Sequence, residues 1–125
     1  MLQVFRDGRD LHTETAKFLL QKDDITSAER KIAKTVNFGV MYGITPFGLS
    51  KMIPKTASEC SDFIERFFTL YPRTREYFDH VVAETLTVGY AETFFGRRRT
   101  IKGLSDRNSM VRESAKREAM NMPIQ

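Results

Sequence analysis

The chain has 125 residues, 41% hydrophobic and 29% charged, with a net charge of +4; this suits one globular domain and excludes a disordered polyelectrolyte. No apolar run approaches the roughly 20 residues that a membrane span requires, and the opening MLQVFRDGRD carries charge too early for a secretory signal. Cys60 is the sole cysteine, which precludes an intramolecular disulfide and suits a reducing cytoplasm.

The elements predicted along the chain are mostly helical. Residues 11–20 form a first helix behind Asp10. Thr26-Ser-Ala-Glu29 is a capping box, in which the Thr hydroxyl serves the N3 amide and the Glu reaches back. It opens a long helix to about Met41, with Gly43 near its end. Thr45-Pro46 reads as cap and first position of a short helix that stops before Pro54. Thr56-Ala-Ser-Glu59 repeats the capping box. Behind it, Phe63, Ile64, Phe67, Phe68 and Tyr71 recur with helical spacing. Pro72 resets the chain, and Tyr77, Phe78, Val81, Val82 and Leu86 mark the next helix, ended by Gly89. The Phe and Tyr residues of both stripes are read as core rather than as a stacking platform for bases, because they follow the helical period. Residues 90–95 and 99–101 are β-compatible and flank Gly96, which predicts a small hairpin. Asn108 or Ser109 caps a last helix running toward Asn121, ahead of Pro123. The fold class is therefore mainly α with one small β-hairpin. No internal repeat or Gly/Ser linker interrupts it.

Two features carry chemistry. From Arg97 to Arg117 eight Lys or Arg face only Asp106 and Glu113. Such a stretch suits phosphate binding through counterion release, and equally suits a solvated basic face. The second is Arg30, Lys34, Phe38 and Tyr42, each four residues apart. On an α-helix each lies about 6 Å further along and about 40° around, giving a stripe roughly 18 Å long. Two cations stand at its N-terminal end and two aromatics at its C-terminal end. That order matches a nucleoside triphosphate. Arg30 and Lys34 would hold phosphates, aided by the positive end of the helix. Phe38 would lie against sugar and base, with Tyr42 at the far end. Spacing alone leaves open the plainer alternative of core aromatics and solvated cations. Ile32, Ala33, Val36 and Val40 face elsewhere and fix the helix to the core. Gly39 and Gly43 weaken it by roughly 1 kcal/mol each, and permit close approach of another backbone or bending.

The run Arg30, Lys34, Phe38-Gly39, Tyr42-Gly43 resembles motif B, the O-helix, of family A (DNA polymerase I-like) DNA polymerases, with Asn37 and Phe47-Gly48-Leu49 also in register. Phe5 to Ala16, Tyr71-Pro72 and Gly96-Arg97-Arg98 match further landmarks, so the resemblance covers the whole chain. Lys31 departs from it, since many relatives carry a second Arg there. The resemblance implies that the chain is one fragment of a right-hand polymerase, its fingers subdomain and adjoining region. It implies nucleotide binding by His12, Arg30, Lys34, Phe38 and Tyr42, with Arg30 and Lys34 taking part in catalysis. A partly protonated His12 would add charge to that site. Arg97, Arg98, Arg117, Asn121 and Gln125 would contact DNA; Arg and amide donors suit the acceptors that every base pair offers in the minor groove. Arg117, Asn121 and Gln125 recur every four residues, although Pro123 interrupts their helix.

The implied partners are a DNA primer-template and a dNTP, with no membrane, and the implied location is cytoplasmic. The implied reaction is nucleotidyl transfer from dNTP to a primer 3′-hydroxyl, assisted by two metal ions. Family members hold these with an Asp in a DYSQIELR-like strand and another in an HDE-like turn. Neither motif occurs among the 125 residues, and Asp7, Asp10, Asp23 and Asp24 sit in turn or cap positions without a convergent partner. Mg2+ is therefore expected in the full-length enzyme and none in this fragment, which is expected not to polymerise alone. Faces that would meet the palm are expected to drive self-association. In the full-length enzyme the stripe helix is expected to swing between open and closed states. Phe38, lacking a hydroxyl, implies poor acceptance of dideoxynucleotides. Two alternatives are a single-subunit, phage-type RNA polymerase, against which Phe38-Gly39 argues, and a non-enzymatic helical DNA-binding module using the 97–117 stretch.

Overall fold

A computed structural model describes residues 1–124, which divide into two compact units, Met1–Pro72 and a second that starts at Arg73.

In the first unit the helices are α1 (Leu2–Arg6), α2 (Leu11–Leu20), α3 (Ser27–Met41), α4 (Pro46–Ser50) and α5 (Ala57–Leu70). Their starts follow side-chain chemistry. Asp10 Oδ1 accepts from the Thr13 amide at 2.7 Å and caps α2. Both capping boxes are formed, Thr26 with Glu29 and Thr56 with Glu59, which satisfies amide donors that a helix start otherwise leaves orphaned. Thr45 caps α4 ahead of Pro46. α1 was not foreseen: five residues without a side-chain cap give no periodic signal.

Helices α2, α3 and α5 pack together around Leu19, Val36, Val40, Leu49, Cys60, Phe63, Phe67 and Tyr71. Burial pushes the Cys60 thiol up, as expected of an inert core cysteine. Arg66 Nη1 donates to the Leu19 carbonyl at 2.8 Å and ties α5 to the end of α2. The Gly39 expectation is refined. A Cβ there would stand 2.9 Å from Ile44 Cγ2, and one on Gly48 would stand 3.2 Å from Ile44 Cγ1. The two glycines make room for a side chain, not a backbone: Ile44 folds back beneath the end of α3, its amide donating to the Gly39 carbonyl at 2.9 Å. Gly43 makes that reversal with φ +70°.

The second unit holds the rest of α6 (Pro72–Val88), strands β1 (Tyr90–Glu92) and β2 (Arg98–Thr100), α7 (Ser109–Asn121) and a 3-10 turn, Met122–Ile124. The strands pair antiparallel with Ala91 opposite Arg99. Asn108, the first of the two expected caps, accepts from the Met110 amide at 2.9 Å. A small core of Ala91, Ile101, Ala115, Ala119 and Met122 joins the hairpin to α7.

The hairpin is shorter on its first strand than expected. The Thr93 amide donates to the Arg97 carbonyl and the Gly96 amide to the Thr93 carbonyl. These close a tight loop with Gly96 at φ +80°. Phe94 and Phe95 therefore sit on the loop, 92% and 93% exposed, rather than in a strand. Tyr77 is also exposed, although it was read as core, and so is Leu86 of the same helix; Phe78 and Val81 are buried. The helical period identifies a face but not its width. Among the described residues the fold is thus mostly helical with one two-stranded hairpin, and no helix is long and apolar enough to cross a membrane.

Candidate functional site

Helix α3 presents the predicted stripe on its outer face. Ala33, Val36 and Val40 are buried and Ile32 packs beside them. The 3.6-residue period then turns Arg30, Lys34 and Phe38 outward. Tyr42 is the C-cap residue, with its amide still bonded to the Phe38 carbonyl at 3.1 Å, so the stripe continues one step past the helix. Phe38 is 51% and Tyr42 53% exposed. Both aromatics lie within reach of a ligand.

The cationic end is more organised than its sequence spacing implies. Arg30 Nε and Nη2 donate to Asp10 Oδ1 and Oδ2 at 3.0 and 2.7 Å, a bidentate pair. Asp10 is thus the N-cap the sequence indicated and, in addition, a brace for Arg30, which the sequence did not indicate. Hydrogen bonds from Arg30, then from Thr13, hold the Asp10 carboxyl well below the usual carboxylate range. The pair uses one edge of the guanidinium and leaves Nη1 for another acceptor. Lys34 engages no carboxylate among the described residues, and its ammonium stands 5.9 Å from the centroid of the Phe38 ring.

The positive end of α3 contributes less than expected. Glu29 accepts from the Thr26 amide and hydroxyl and pairs with Lys22 at 2.7 Å. A carboxylate already occupies that pole, so the helix terminus is compensated internally.

His12, on the first turn of α2, joins the stripe from the side. Its ring centroid lies 5.8 Å from that of Phe38, and Asn37 Nδ2 stands 2.9 Å from its Nδ1. Burial first, and the charges of Arg30 and Lys34 after it, push the imidazole down from its ordinary value against the pull of Asp10. These influences act against the extra positive charge expected from His12. Asn37 was noted in the sequence only as a neighbour of Phe38; nothing in the spacing relates it to residues 12, 15 and 71.

The proposed DNA contacts lie in the second unit. Arg97 is exposed and bonds no carboxylate among the described residues. Arg98 is bound to Glu92 across the hairpin and lies 4.6 Å from the centroid of the Tyr90 ring. Arg117 and Asn121 sit one turn apart on α7, and Asn121 Oδ1 is buried without a hydrogen-bond partner among the described residues. Gln125 lies outside the described residues. The basic stretch is partly consumed within the unit. Arg99 pairs with Glu118 and Lys116 with Glu113, while Arg112 donates to the Asp106 and Arg107 carbonyls. Among the described residues no group of three or more His, Cys, Asp or Glu side chains is placed to hold a metal ion. The Arg30 and Lys34 side chains of the stripe are donors suited to an anion.

Comparison with known proteins adds the lineage. The model of DNA polymerase family A matches residues 1–125. The chain belongs to that family. It is 42% identical to DNA polymerase I of Geobacillus stearothermophilus over 127 residues, covering 100% of this chain and 14% of that one. It is 44% identical to the thermostable DNA polymerase I of Thermus filiformis over 125 residues, 98% of this chain and 15% of that one. Among solved structures, the POL domain of Pol1 from M. smegmatis, in complex with DNA primer-template and dNTP, superposes with a TM-score of 0.86 at 32% identity, covering 98% of this chain and 22% of that one. The chain thus spans only a small part of the relatives it matches.

Proposed function

We propose that this chain is the fingers portion of a DNA-directed DNA polymerase, binding the incoming dNTP on α3 and the primer-template through the second unit. One observation carries the reading: Arg30, Lys34, Phe38 and Tyr42 all lie exposed in order along α3 and its C-cap. A triphosphate lies along that order. Lys34 and the open Nη1 of Arg30 take the phosphates, the Lys as a point charge and the Arg as a hydrogen-bond fork braced by Asp10. As negative charge builds on the leaving phosphates, both cations stabilise it, which is their part in catalysis. Phe38 and Tyr42 supply flat apolar area against sugar and base. Arg97 and Arg98 contact backbone phosphates, and Arg117, Asn121 and Gln125 offer donors to the minor groove.

The transfer itself needs divalent metal, and Mg2+ belongs to parts of the full-length enzyme other than this site. A cytoplasmic location accompanies the reading. The relative bound to DNA primer-template and dNTP supports both partners. The test is titration of the chain with dATP, followed by the amide resonances of α3. Binding centred on Lys34 and Phe38, reduced in Lys34→Ala, is expected. Binding to duplex DNA with no response to dATP would favour the simpler DNA-binding module.

A further inference from the structure

A chain of hydrogen bonds beneath the stripe decides which nitrogen of His12 carries its proton. Thr15 has one hydroxyl proton, and it goes to the Leu11 carbonyl at 2.8 Å. The Thr15 oxygen is then an acceptor only. Tyr71 Oη stands 3.1 Å from it and Asn37 Nδ2 stands 3.2 Å from it, so both donate. This orients the buried Asn37 amide, and its second N–H points at His12 Nδ1, 2.9 Å away. Asn37 Oδ1 is left without a partner. Turning the amide over would exchange that one unpaired acceptor for two unpaired donors and would require a second proton from Thr15. Each buried unpaired group costs about 1–3 kcal/mol, so the turned amide loses. His12 Nδ1 is an acceptor, and the proton sits across the ring on Nε2.

We propose that Asn37, seated on Thr15 and Tyr71, holds His12 as a neutral imidazole protonated on Nε2, so that His12 offers a triphosphate a directed hydrogen bond and not a charge. The functional half rests on the nucleotide reading above. Asn37 is a positioning residue: it touches His12 and acts through it. The charged groups facing His12 agree with this state. Arg30 and Lys34 of α3 repel a third cation. Asp10, ahead of α2, attracts one but is committed to Arg30. Tyr71, following α5, reaches the ring only through Thr15 and Asn37. An N–H aimed at Nδ1 leaves no room for a second ring proton there, so the arrangement disfavours the charged ring.

Long-range proton–nitrogen NMR of the 125-residue chain tests this, with the two histidines distinguished by His80→Gln. The expected wild-type spectrum shows His12 protonated on Nε2 and bare on Nδ1 at pH 7.5; a proton on Nδ1 would overturn the proposal without any variant. In Asn37→Asp the new carboxylate accepts where the amide donated. The His12 midpoint should then rise by about one pH unit or more, with Nδ1 gaining a proton. A purely structural Asn37 would leave midpoint and tautomer unchanged, and that result also overturns the proposal. Adding dATP separates the two readings. If Lys34 and Phe38 do not respond, the nucleotide assignment fails while the ligand-free spectrum still decides the tautomer. If they respond and the His12 Nε2–H signal does not move, the donor role fails.

Discussion

Asp10 holds two structures at once, and two substitutions separate them. It caps α2 through the Thr13 amide and braces Arg30 through both carboxylate oxygens. Alanine removes both roles. A lost N-cap costs about 1 kcal/mol, and an ion pair between side chains each 44% exposed is worth about 0.5 kcal/mol, so Asp10→Ala should lose about 1.5 kcal/mol. Asparagine caps as well as aspartate but carries no charge, so Asp10→Asn should lose only about 0.5 kcal/mol. Urea unfolding followed through the Ala16 and Val36 amides reads the first unit alone. With a slope of about 1–3 kcal/mol/M, the midpoint should fall by roughly 0.5–1.5 M for alanine and by less than about 0.5 M for asparagine. The pH dependence has a fixed sign. The folded carboxyl lies below its ordinary value of 3.8, so its stabilisation is present above that value and lost as pH falls toward the depressed one. Wild type and Asp10→Asn should converge in acid. Equal midpoints for the two variants, or a gap that widens as pH falls, would refute this account.

Further outcomes follow from the same geometry. Lys34→Ala should weaken dATP binding by roughly 10- to 100-fold, the worth of a charge-assisted hydrogen bond, measured by calorimetry; a loss below threefold would remove Lys34 from the site. Gly39→Ala should destabilise the first unit despite alanine's higher helix propensity, because its Cβ meets the stiff branched carbon of Ile44 at 2.9 Å. Adding Ile44→Ala should recover the clash part of that loss in a double-mutant cycle. Phe67→Ala should cost about 3–5 kcal/mol in thermal or urea unfolding, since Phe67 is 0% exposed at the centre of the core.

Helix starts were legible because they are local chemistry. Thr26 and Glu29, Thr56 and Glu59, and Thr45 with Pro46 each lie within one turn, and each formed as read. The exposure of Phe38 and Tyr42 was legible only as one of two choices, since the period fixes a face and not which face is covered. What was not legible is long-range. Asp10 and Arg30 are 20 residues apart, Asn37 and His12 are 25 apart, and Thr15 and Tyr71 are 56 apart. No spacing rule relates such residues before the helices pack. Phe94 and Phe95 misled for the opposite reason: their intrinsic preference is extended, but the Gly96 turn takes them out of the ladder.

The stripe helix is not a lever that pivots by itself. Its cationic end is clasped to α2 by Arg30 with Asp10 and by Asn37 with His12, and its aromatic end is wedged to α4 by Ile44 between two glycines. Any tilt that brings Tyr42 toward a nucleobase must carry α2 and α4 with it or tear one of those fastenings. Helix α5 belongs to the same block, since Phe63 and Phe67 share a core with Leu19, Val36 and Leu49 and Arg66 ties α5 to α2, so the smallest moving part is the packed unit of α2, α3, α4 and α5.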